Sequence, residues 1–178
     1  ASVTSELAFN DVRVPDANRL PEVQSLKGPL SCLNEARYGI VWGVVGAARS
    51  CFEAALDYSL TRKQFGEPIA SFQLTQAKLA DMATKVQQGY LLALRLGQLK
   101  DEGRIEPEQI SMGKRANTRM ALDVARTARG ILGANGITLE YPVLRHANNL
   151  ESVYTYEGTD EIHTLSIGMA LTGIAAFR

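Results

Sequence analysis

The sequence predicts an all-α fold, an up-and-down bundle of long helices that follows a short β-strand. From about residue 30 almost to the end, apolar residues recur three and four positions apart, the spacing of one helix face. Glycine and proline interrupt this pattern at only a few places, so the predicted helices are long and their connections short. Long helices with short connections are typical of antiparallel bundles. The opening residues differ, because they alternate between apolar and polar side chains.

The N-terminal segment is predicted to be a single strand. Val3, Leu7 and Phe9 fall on one side of a period-two pattern, which indicates one covered face. One strand is not stable alone, so we expect its sheet to lie outside a sequence that begins with Ala1 rather than methionine. Prolines at positions 15, 21 and 29 then mark a change of composition. We therefore assign residues 1–27 to the end of a β-domain and its linker, and residues 28–178 to a helical bundle.

Five helices follow from the apolar spacing and its stop signals. The first is predicted at residues 30–62, and the second runs from a cap at Ser71 to residue 101. The stretches GIVWGVVGAARSCF and YLLALRLGQL are apolar on several faces, so both helices should have more than one neighbour. The other three are predicted at residues 107–132, 142–154 and 160–177, with the glycine-rich turn 133–136 ending the third.

An arginine stripe runs along the third predicted helix. Arg115, Arg119, Arg126 and Arg129 fall within about 80° of one another on a helical wheel, opposite the apolar face. We expect this stripe to face solvent.

Composition and motifs exclude several classes of function. Lys+Arg and Asp+Glu number 19 each, which gives no electrostatic reason for binding nucleic acid or an anionic membrane. The longest apolar run, residues 40–48, is shorter than the roughly 20 residues that cross a bilayer. Cys32 and Cys51 stand apart, which favours a reducing compartment and a role in helix packing. The two histidines, His146 and His163, have no metal-ligand spacing, and no GxSxG or GxGxxG motif is present, so we expect no metal site.

The stretch TYEGTDEIH holds the strongest candidate for chemistry. Thr159 or Asp160 can cap the last helix, and Asp160 and Glu161 in its first turn are favoured by the helix dipole. Glu157 precedes the cap, between Tyr156 and Gly158, where the helix does not account for it. On the residues alone, an exposed loop glutamate is the commoner interpretation and a functional carboxylate the alternative.

Three stretches together resemble the acyl-CoA dehydrogenases, a family of flavoenzymes. HANNLESVYTYEGTDEIH is similar to the segment that carries their catalytic base. TRKQFGEPIASFQ resembles their Arg-x-x-Phe-Gly loop and its following glutamine, and ARGILGANGI resembles their Leu-Gly-Gly-Asn-Gly loop. The order and spacing of the three match the family across essentially the whole chain. PLSCLNEARYGIVWG and TGIAAF are most similar to the glutaryl-CoA dehydrogenase branch, although Met169 and Gly130 depart from its usual pattern.

The resemblance implies a reaction and a set of site residues. Glu157 would remove a proton from the carbon next to a thioester carbonyl, while hydride leaves the neighbouring carbon for flavin adenine dinucleotide (FAD). The residues implied to contact the acyl-CoA are Leu30, Ser31, Cys32, Leu33, Asn34, Glu35, Ala36, Arg37, Tyr156 and Gly158. Those implied to contact FAD are Arg62, Phe65, Gln73, Gly130, Ile131, Leu132, Gly133, Ala134 and Thr159.

The resemblance also implies the partners of the protein, and it implies that this chain alone is incomplete as an enzyme. The expected partners are an acyl-CoA, an electron-transferring flavoprotein and three further copies of the chain in a homotetramer, a dimer of dimers. In that tetramer the Arg62 loop would reach the flavin of a neighbouring subunit. The arginine stripe has a second possible role there, in subunit contacts. The location would be the cytoplasm of a bacterium or the mitochondrial matrix of a eukaryote. Because the family's N-terminal half is missing, we expect this chain alone to be inactive and without bound flavin. A short-chain acyl-CoA dehydrogenase, an acyl-CoA oxidase and a non-catalytic assembly module remain alternatives.

Overall fold

The fold of residues 3–176, taken from a computed structural model, is all-α, as predicted. A hairpin of two short antiparallel strands lies between the first two helices. The elements are α1 Lys27–Thr61, β1 Lys63–Gln64, β2 Glu67–Pro68, α2 Gln73–Asp101, α3 Pro107–Leu132, α4 Val143–Thr155 and α5 Asp160–Thr172. Short 3-10 turns cover Asp16–Asn18, Ile69–Ser71 and Gly133–Ile137.

Helix α3 lies at the centre of the bundle and packs against all four other helices. Its most extensive contact is with α1. Small side chains meet there, because Ala121 and Ala125 of α3 and Ala48 and Ala55 of α1 are all fully buried. Small residues on both sides let two helix axes approach closely. The larger members of this core include Met82, Leu122, Leu132, Val143 and Leu150.

A buried amide ties α3 to α1 and α2. Asn117 is 1% exposed, and its Nδ2 donates to the carbonyl of Val41 at 3.1 Å and to that of Gly89 at 3.0 Å. A Cβ at Gly89 would lie 2.5 Å from Met120 Cε and 3.1 Å from Asn117 Oδ1, so a larger residue there would require the end of the Met120 side chain to move. The central helix is therefore fixed by a polar contact as well as by apolar packing.

The predicted N-terminal strand has no partner within residues 3–176 and stays a prediction, because its sheet was expected to lie outside this chain. Residues 3–10 form no strand, and the apolar side chains of Leu7 and Phe9 are 76% and 74% exposed. Their backbone groups have no partner strand within residues 3–176, and period-two alternation cannot create one. The assignment of residues 1–27 to a preceding β-domain remains a prediction.

The helix bounds were predicted to within one residue, except at the start of α1 and the end of α5, and the predicted cap of α2 also differs. α1 begins at Lys27 rather than at residue 30. Ser71 does not cap α2, because its hydroxyl donates to the carbonyl of Pro68 at 2.7 Å and Phe72 occupies the cap position. α5 ends at Thr172 because Gly173, with a φ of 72°, turns the chain away, and residue 177 of the predicted helix lies outside the described residues.

The two cysteines differ in environment. Cys51 is buried in the α1–α3 contact, and its burial raises the pKa of the thiol to about 12. Cys32 is exposed, so the prediction that it packs between helices was wrong. By length and composition alone α1 could cross a membrane, but in this bundle it packs on α2, α3 and α4 as a core helix.

Candidate active site

The chain makes an unusual turn between α4 and α5. Glu157 has a φ of 58° and Gly158 a φ of 89°, so two consecutive residues are left-handed. Glycine adopts this conformation freely, but a glutamate pays about 1–2 kcal/mol for it. Such strain persists only where surrounding structure enforces it, and it concentrates at functional sites. The position of Glu157 is therefore a property of the whole fold and not of the loop alone.

Glycine is required at position 158 for space as well as for its φ. A Cβ there would lie 3.0 Å from His163 Nε2 and 3.5 Å from Arg37 Nη2. His163 is 1% exposed and cannot swing away easily. The chain after Glu157 thus lies directly against α1 and α5.

Two cations from other helices hold the turn through its backbone. Lys114 of α3 donates from Nζ to the carbonyls of Tyr156 at 2.5 Å and Gly158 at 2.6 Å. Arg37 of α1 donates from Nε to the carbonyl of Glu157 at 2.8 Å. Three consecutive carbonyls are therefore bound by side chains that come from two different helices.

Burial shifts the protonation of two side chains behind the turn. Burial of Lys114, with the neighbouring charge of Arg37, lowers the pKa of this ammonium to about 8, against the opposing charges of Glu157 and Asp160. Burial of His163, with the charges of Lys114 and Arg37, lowers the pKa of this imidazole to about 4. At neutral pH the lysine is therefore mainly charged and the histidine neutral.

Unpartnered polar atoms gather at this site. Within residues 3–176, four buried side-chain atoms have no hydrogen-bond partner: Glu157 Oε2, His163 Nε2, Arg115 Nε and Thr118 Oγ1. Three of them line one cavity with Lys114 and Asp160, and it is too small for a water molecule. A buried carboxylate oxygen without a donor is costly unless a ligand supplies the missing partner. The Oε2 of Glu157 is therefore a candidate for contact with a bound ligand.

Asp160 contributes more than a charge at the start of α5. It is 5% exposed, and Arg119 binds it with Nε to Oδ1 at 2.7 Å and Nη2 to Oδ2 at 2.5 Å. Arg115 Nε lies 3.5 Å from Oδ2, in ion-pair range but without hydrogen-bond geometry. Burial opposes ionisation, but the hydrogen bonds and charge of Arg119 outweigh it and lower the pKa of Asp160. The expectation that Asp160 only starts the helix was too narrow.

The arginine stripe is not a simple solvated face. Arg119 and Arg115 meet Asp160 of α5, and Arg126 pairs with Glu151 of α4. Arg119 remains 48% exposed and Arg126 65%, so solvent still covers much of the stripe. Its position facing two further helices could not be read from one helical wheel. The N-cap prediction for Thr159 is confirmed, since its Oγ1 accepts from the amide of Ile162 at 3.3 Å.

The structure places the predicted acyl-CoA residues in two groups. Residues 30–37 form the first turns of α1, and Arg37 reaches Glu157 while its Nη1 donates to Asn34 Oδ1 at 3.2 Å. Glu35 instead accepts from Lys100 of α2 at 2.7 and 2.8 Å. Tyr156 is 44% exposed, with its ring 5.9 Å from Lys114 Nζ. Part of α1 is thus joined to the turn, and part faces α2.

The predicted FAD residues lie mostly at the other end of α3. Arg62 and residues 131–134 line one groove of about 420 Å³. The Arg62 side chain makes no hydrogen bond or ion pair within the described residues, which fits a cation available for a pyrophosphate. Phe65 is 93% exposed and touches Phe72, an accessible ring suited to packing on a planar group. Gly130 and Gln73 lie outside the lining of the groove, and Thr159 lies beside Glu157.

The distance between these regions follows from the helix that joins them. Lys114 contacts the Glu157 turn, and Leu132 lines the groove at the end of the same helix. At a rise of 1.5 Å per residue, the two residues are about 27 Å apart along α3. The residues implied to contact the acyl-CoA and those implied to contact FAD therefore lie in two separate regions of the bundle.

Sequence reasoning missed Lys114 and His163. Lys114 follows the buried Ile110 by four positions and precedes the buried Ala121 by seven, so it lies on the core side of α3. A lysine at that spacing was the available signal. His163 was set aside because it lacked metal ligands, although its buried position on α5 places it against Gly158.

Comparison with known proteins shows the family to which the chain belongs. The family model described as "Acyl-CoA dehydrogenase, C-terminal domain" matches residues 27–172. A glutaryl-CoA dehydrogenase of Desulfococcus multivorans is 36% identical over 98% of this chain and 45% of its own length. The chain therefore spans about half the length of this relative.

Two solved structures are similar throughout the described fold. A glutaryl-CoA dehydrogenase from Mycobacterium smegmatis has a TM-score of 0.92 and 63% identity, over 94% of this chain and 43% of that one. A second, in complex with FADH2, has a TM-score of 0.93 and 56% identity, over 95% of this chain and 44% of that one. The chain belongs to the family of acyl-CoA dehydrogenase C-terminal domains.

Proposed function

We propose that this chain is the base-bearing part of an FAD-dependent acyl-CoA dehydrogenase that acts on glutaryl-CoA and decarboxylates it to crotonyl-CoA. The observation that carries the proposal is Glu157, a left-handed residue with a buried, unpartnered carboxylate oxygen. The 63% identity to a glutaryl-CoA dehydrogenase supports the choice of substrate.

Glu157 accepts the proton in this mechanism. Its Oε2 is buried and receives no hydrogen bond within residues 3–176, so this oxygen has no partner on the protein and is left for a group of the substrate. The proton comes from the carbon next to the thioester carbonyl, and a carbon–carbon double bond forms. Bound FAD would supply the acceptor for the hydride that leaves the neighbouring carbon. Gly158 lets the turn lie against His163 and Arg37, because a Cβ there would be 3.0 Å from His163 Nε2 and 3.5 Å from Arg37 Nη2.

The other residues of the site bind the acyl-CoA and FAD and orient them. Residues 30–37 lie along the acyl-CoA, with Arg37 joined to the Glu157 turn and Tyr156 beside the thioester. Arg62 and residues 131–134, which line the groove, would hold FAD together with Phe65, Gln73 and Gly130, which lie outside its lining. The distance along α3 supports a homotetramer in which one subunit supplies these groups to the next. An electron-transferring flavoprotein then reoxidises the enzyme.

The test of this proposal is the variant Glu157→Gln in the full-length protein that carries this sequence. Gln keeps the side-chain shape but cannot accept the proton, so flavin content should stay unchanged while the rate of flavin bleaching by glutaryl-CoA falls at least 10³-fold. The matched control is Glu161→Gln, which removes an exposed carboxylate four residues away. Unchanged bleaching in Glu157→Gln would remove Glu157 from the mechanism.

A substrate and acceptor panel tests the finer assignments. Glutaryl-CoA should bleach the flavin faster than butyryl-CoA and release carbon dioxide. Turnover should need an electron acceptor, since a dehydrogenase reacts slowly with oxygen. Preference for butyryl-CoA would indicate a short-chain enzyme, and rapid peroxide formation without an acceptor would indicate an oxidase.

The 178-residue chain itself gives a separate test. We expect it to retain no flavin after gel filtration, because residues 28–178 supply only part of the proposed pocket. A stoichiometrically flavinylated preparation would contradict this expectation and show that the bundle binds the cofactor unaided.

A further inference from the structure

The turn that carries Glu157 is held from behind by a buried ammonium. Lys114 is 2% exposed, and its Nζ lies at hydrogen-bond distance from two backbone carbonyls of the turn, those of Tyr156 and Gly158. No carboxylate forms an ion pair with Lys114 within residues 3–176. A buried cation without a paired anion is costly, so its two carbonyl contacts are its main compensation.

The two carbonyls flank the strained residue. Lys114 binds the carbonyl before Glu157 and the one after it, while Arg37 binds the carbonyl of Glu157 itself. Without these donors, three neighbouring carbonyl dipoles would lose their hydrogen bonds to Lys114 and Arg37, and the left-handed φ of 58° at Glu157 would lose the support of two helices. The Cα–Cβ direction of Glu157, and therefore the aim of its carboxylate, depends on this support.

The surroundings of Lys114 allow few alternative functions. Arg37 of α1, Glu157 of the turn and Asp160 and His163 of α5 are the charged and titratable groups that act on it. Asp160 is already bound by Arg119, and His163 is neutral at neutral pH. The cavity beside Lys114 is too small for a water molecule, so the ammonium cannot serve a bound ligand there.

We propose that Lys114 is a positioning residue: its ammonium clamps the Tyr156 and Gly158 carbonyls and thereby aims the Glu157 carboxylate at the substrate. This inference rests on the proposed function of Glu157. Lys114 does not touch the reacting atoms and acts only through the turn.

The test uses the full-length protein with Lys114→Met, which keeps the length of the side chain but removes its charge and donors. We expect the limiting rate of flavin reduction to fall about 10²-fold, because a misplacement of about 1 Å has an effect of that size. The apparent Kd for acyl-CoA should change less than threefold, since the pocket itself is intact. Lys114→Arg keeps a buried cation that can donate to the turn, and should be at least threefold faster than Lys114→Met.

The matched control is Lys85→Met. Lys85 also bonds with Nζ to two partners, but these are the surface carboxylates of Asp81 and Asp123. Its removal should leave the reduction rate and the apparent Kd unchanged. The control separates the loss of a clamped turn from the loss of any lysine that joins two helices.

A second measurement does not depend on catalysis. Backbone hydrogen exchange should accelerate in Lys114→Met at residues 156–160, while the α1–α3 core keeps wild-type protection. Exchange that rises everywhere would show a general loss of packing, and wild-type exchange at the turn would show no clamp; either result overturns the proposal. A limiting rate within threefold of wild type would also overturn it.

The two proposals can fail separately. If Glu157→Gln abolishes flavin reduction and Lys114→Met does not slow it, only the positioning role is wrong. If Glu157→Gln reduces flavin normally, the proposed base is wrong, and the aiming role of Lys114 is overturned with it.

Discussion

Two turns in this chain share a backbone conformation and differ in what holds it. Phe65 and Gly66 have φ values of 54° and 85°, close to the 58° and 89° of Glu157 and Gly158. The first pair forms the two-residue loop between β1 and β2, where positive φ at both positions is required by a type I′ hairpin. The second pair joins two helices and has no strand pairing to explain it.

The surroundings of the two turns differ accordingly. Phe65 is 93% exposed and Gly66 has open space around it, so the hairpin is a local structure. The Glu157 turn is instead supported by Lys114 and Arg37, which come from distant parts of the chain. The same pair of φ values thus belongs to a local turn in one place and to a turn held by distant side chains in the other.

The largest difference should appear when each glycine becomes alanine. Gly158→Ala meets the φ penalty of about 1–2 kcal/mol and the close contact with His163, which adds about 1–3 kcal/mol. Gly66→Ala meets only the φ penalty of about 1–2 kcal/mol. Urea unfolding of the 178-residue chain measures both. Equal losses of stability would show that the Glu157 turn is no more constrained than the hairpin.

Acid should destabilise the fold through protonation of His163, which lies behind the Glu157 turn. The pKa of His163 is about 4 in the folded state and near 6.5 when exposed, so the unfolded chain binds more protons between these values. Stability is then fully present above about pH 6.5 and is lost as the pH falls toward 4, by about 3 kcal/mol in total. His163→Gln should flatten this part of the pH profile of urea unfolding, whereas an unchanged slope would show that other groups cause it.

The two carboxylates that pair with the arginine stripe, Asp160 and Glu151, should also differ in their contribution to stability. Asp160→Asn leaves Arg119 and Arg115 without their buried carboxylate and should cost about 2 kcal/mol, since Arg119 is half exposed and can regain water. Glu151→Gln breaks an exposed pair with Arg126 and should cost less than about 1 kcal/mol. Thermal unfolding of both variants makes the comparison. A greater loss in Glu151→Gln would reverse our ranking of the two contacts.

The smallest effect is expected at the exposed turn. Phe65→Asn replaces an aromatic residue in the left-handed region with one that tolerates it, and should stabilise the hairpin by about 0.5 kcal/mol or leave it unchanged. The lost contact with Phe72 offsets part of the gain. Urea unfolding that shows a loss above about 1 kcal/mol would indicate that Phe65 supports the fold through contacts beyond the hairpin.

Local patterns were enough to predict the helices but not their ends in every case. The third helix was predicted at its observed bounds because Pro107 and the glycines after Leu132 are strong local signals. Ser71 was misassigned because a serine three residues after a proline can close a 3-10 turn as readily as cap a helix. The strand at residues 3–10 needed partners that the pattern could not supply.

Some residues of the candidate site could likewise be predicted from local sequence, and others could not. Glu157 could be singled out from its place before a helix cap and from the motifs around it. Lys114 and Arg37 could not be assigned to it, because they lie 43 and 120 residues away along the chain and meet it only after the bundle folds. Asp160 looked like ordinary helix-start chemistry until its arginine partners were placed.

The proton step by itself is the most direct test of the central claim. An acyl-CoA analogue with sulfur in place of the carbon that would lose hydride can exchange only the proton next to the thioester carbonyl. Full-length protein in deuterium oxide should place deuterium at that carbon, and mass spectrometry should find at least 10³-fold slower uptake with Glu157→Gln. Equal uptake with both proteins would show that Glu157 is not the base.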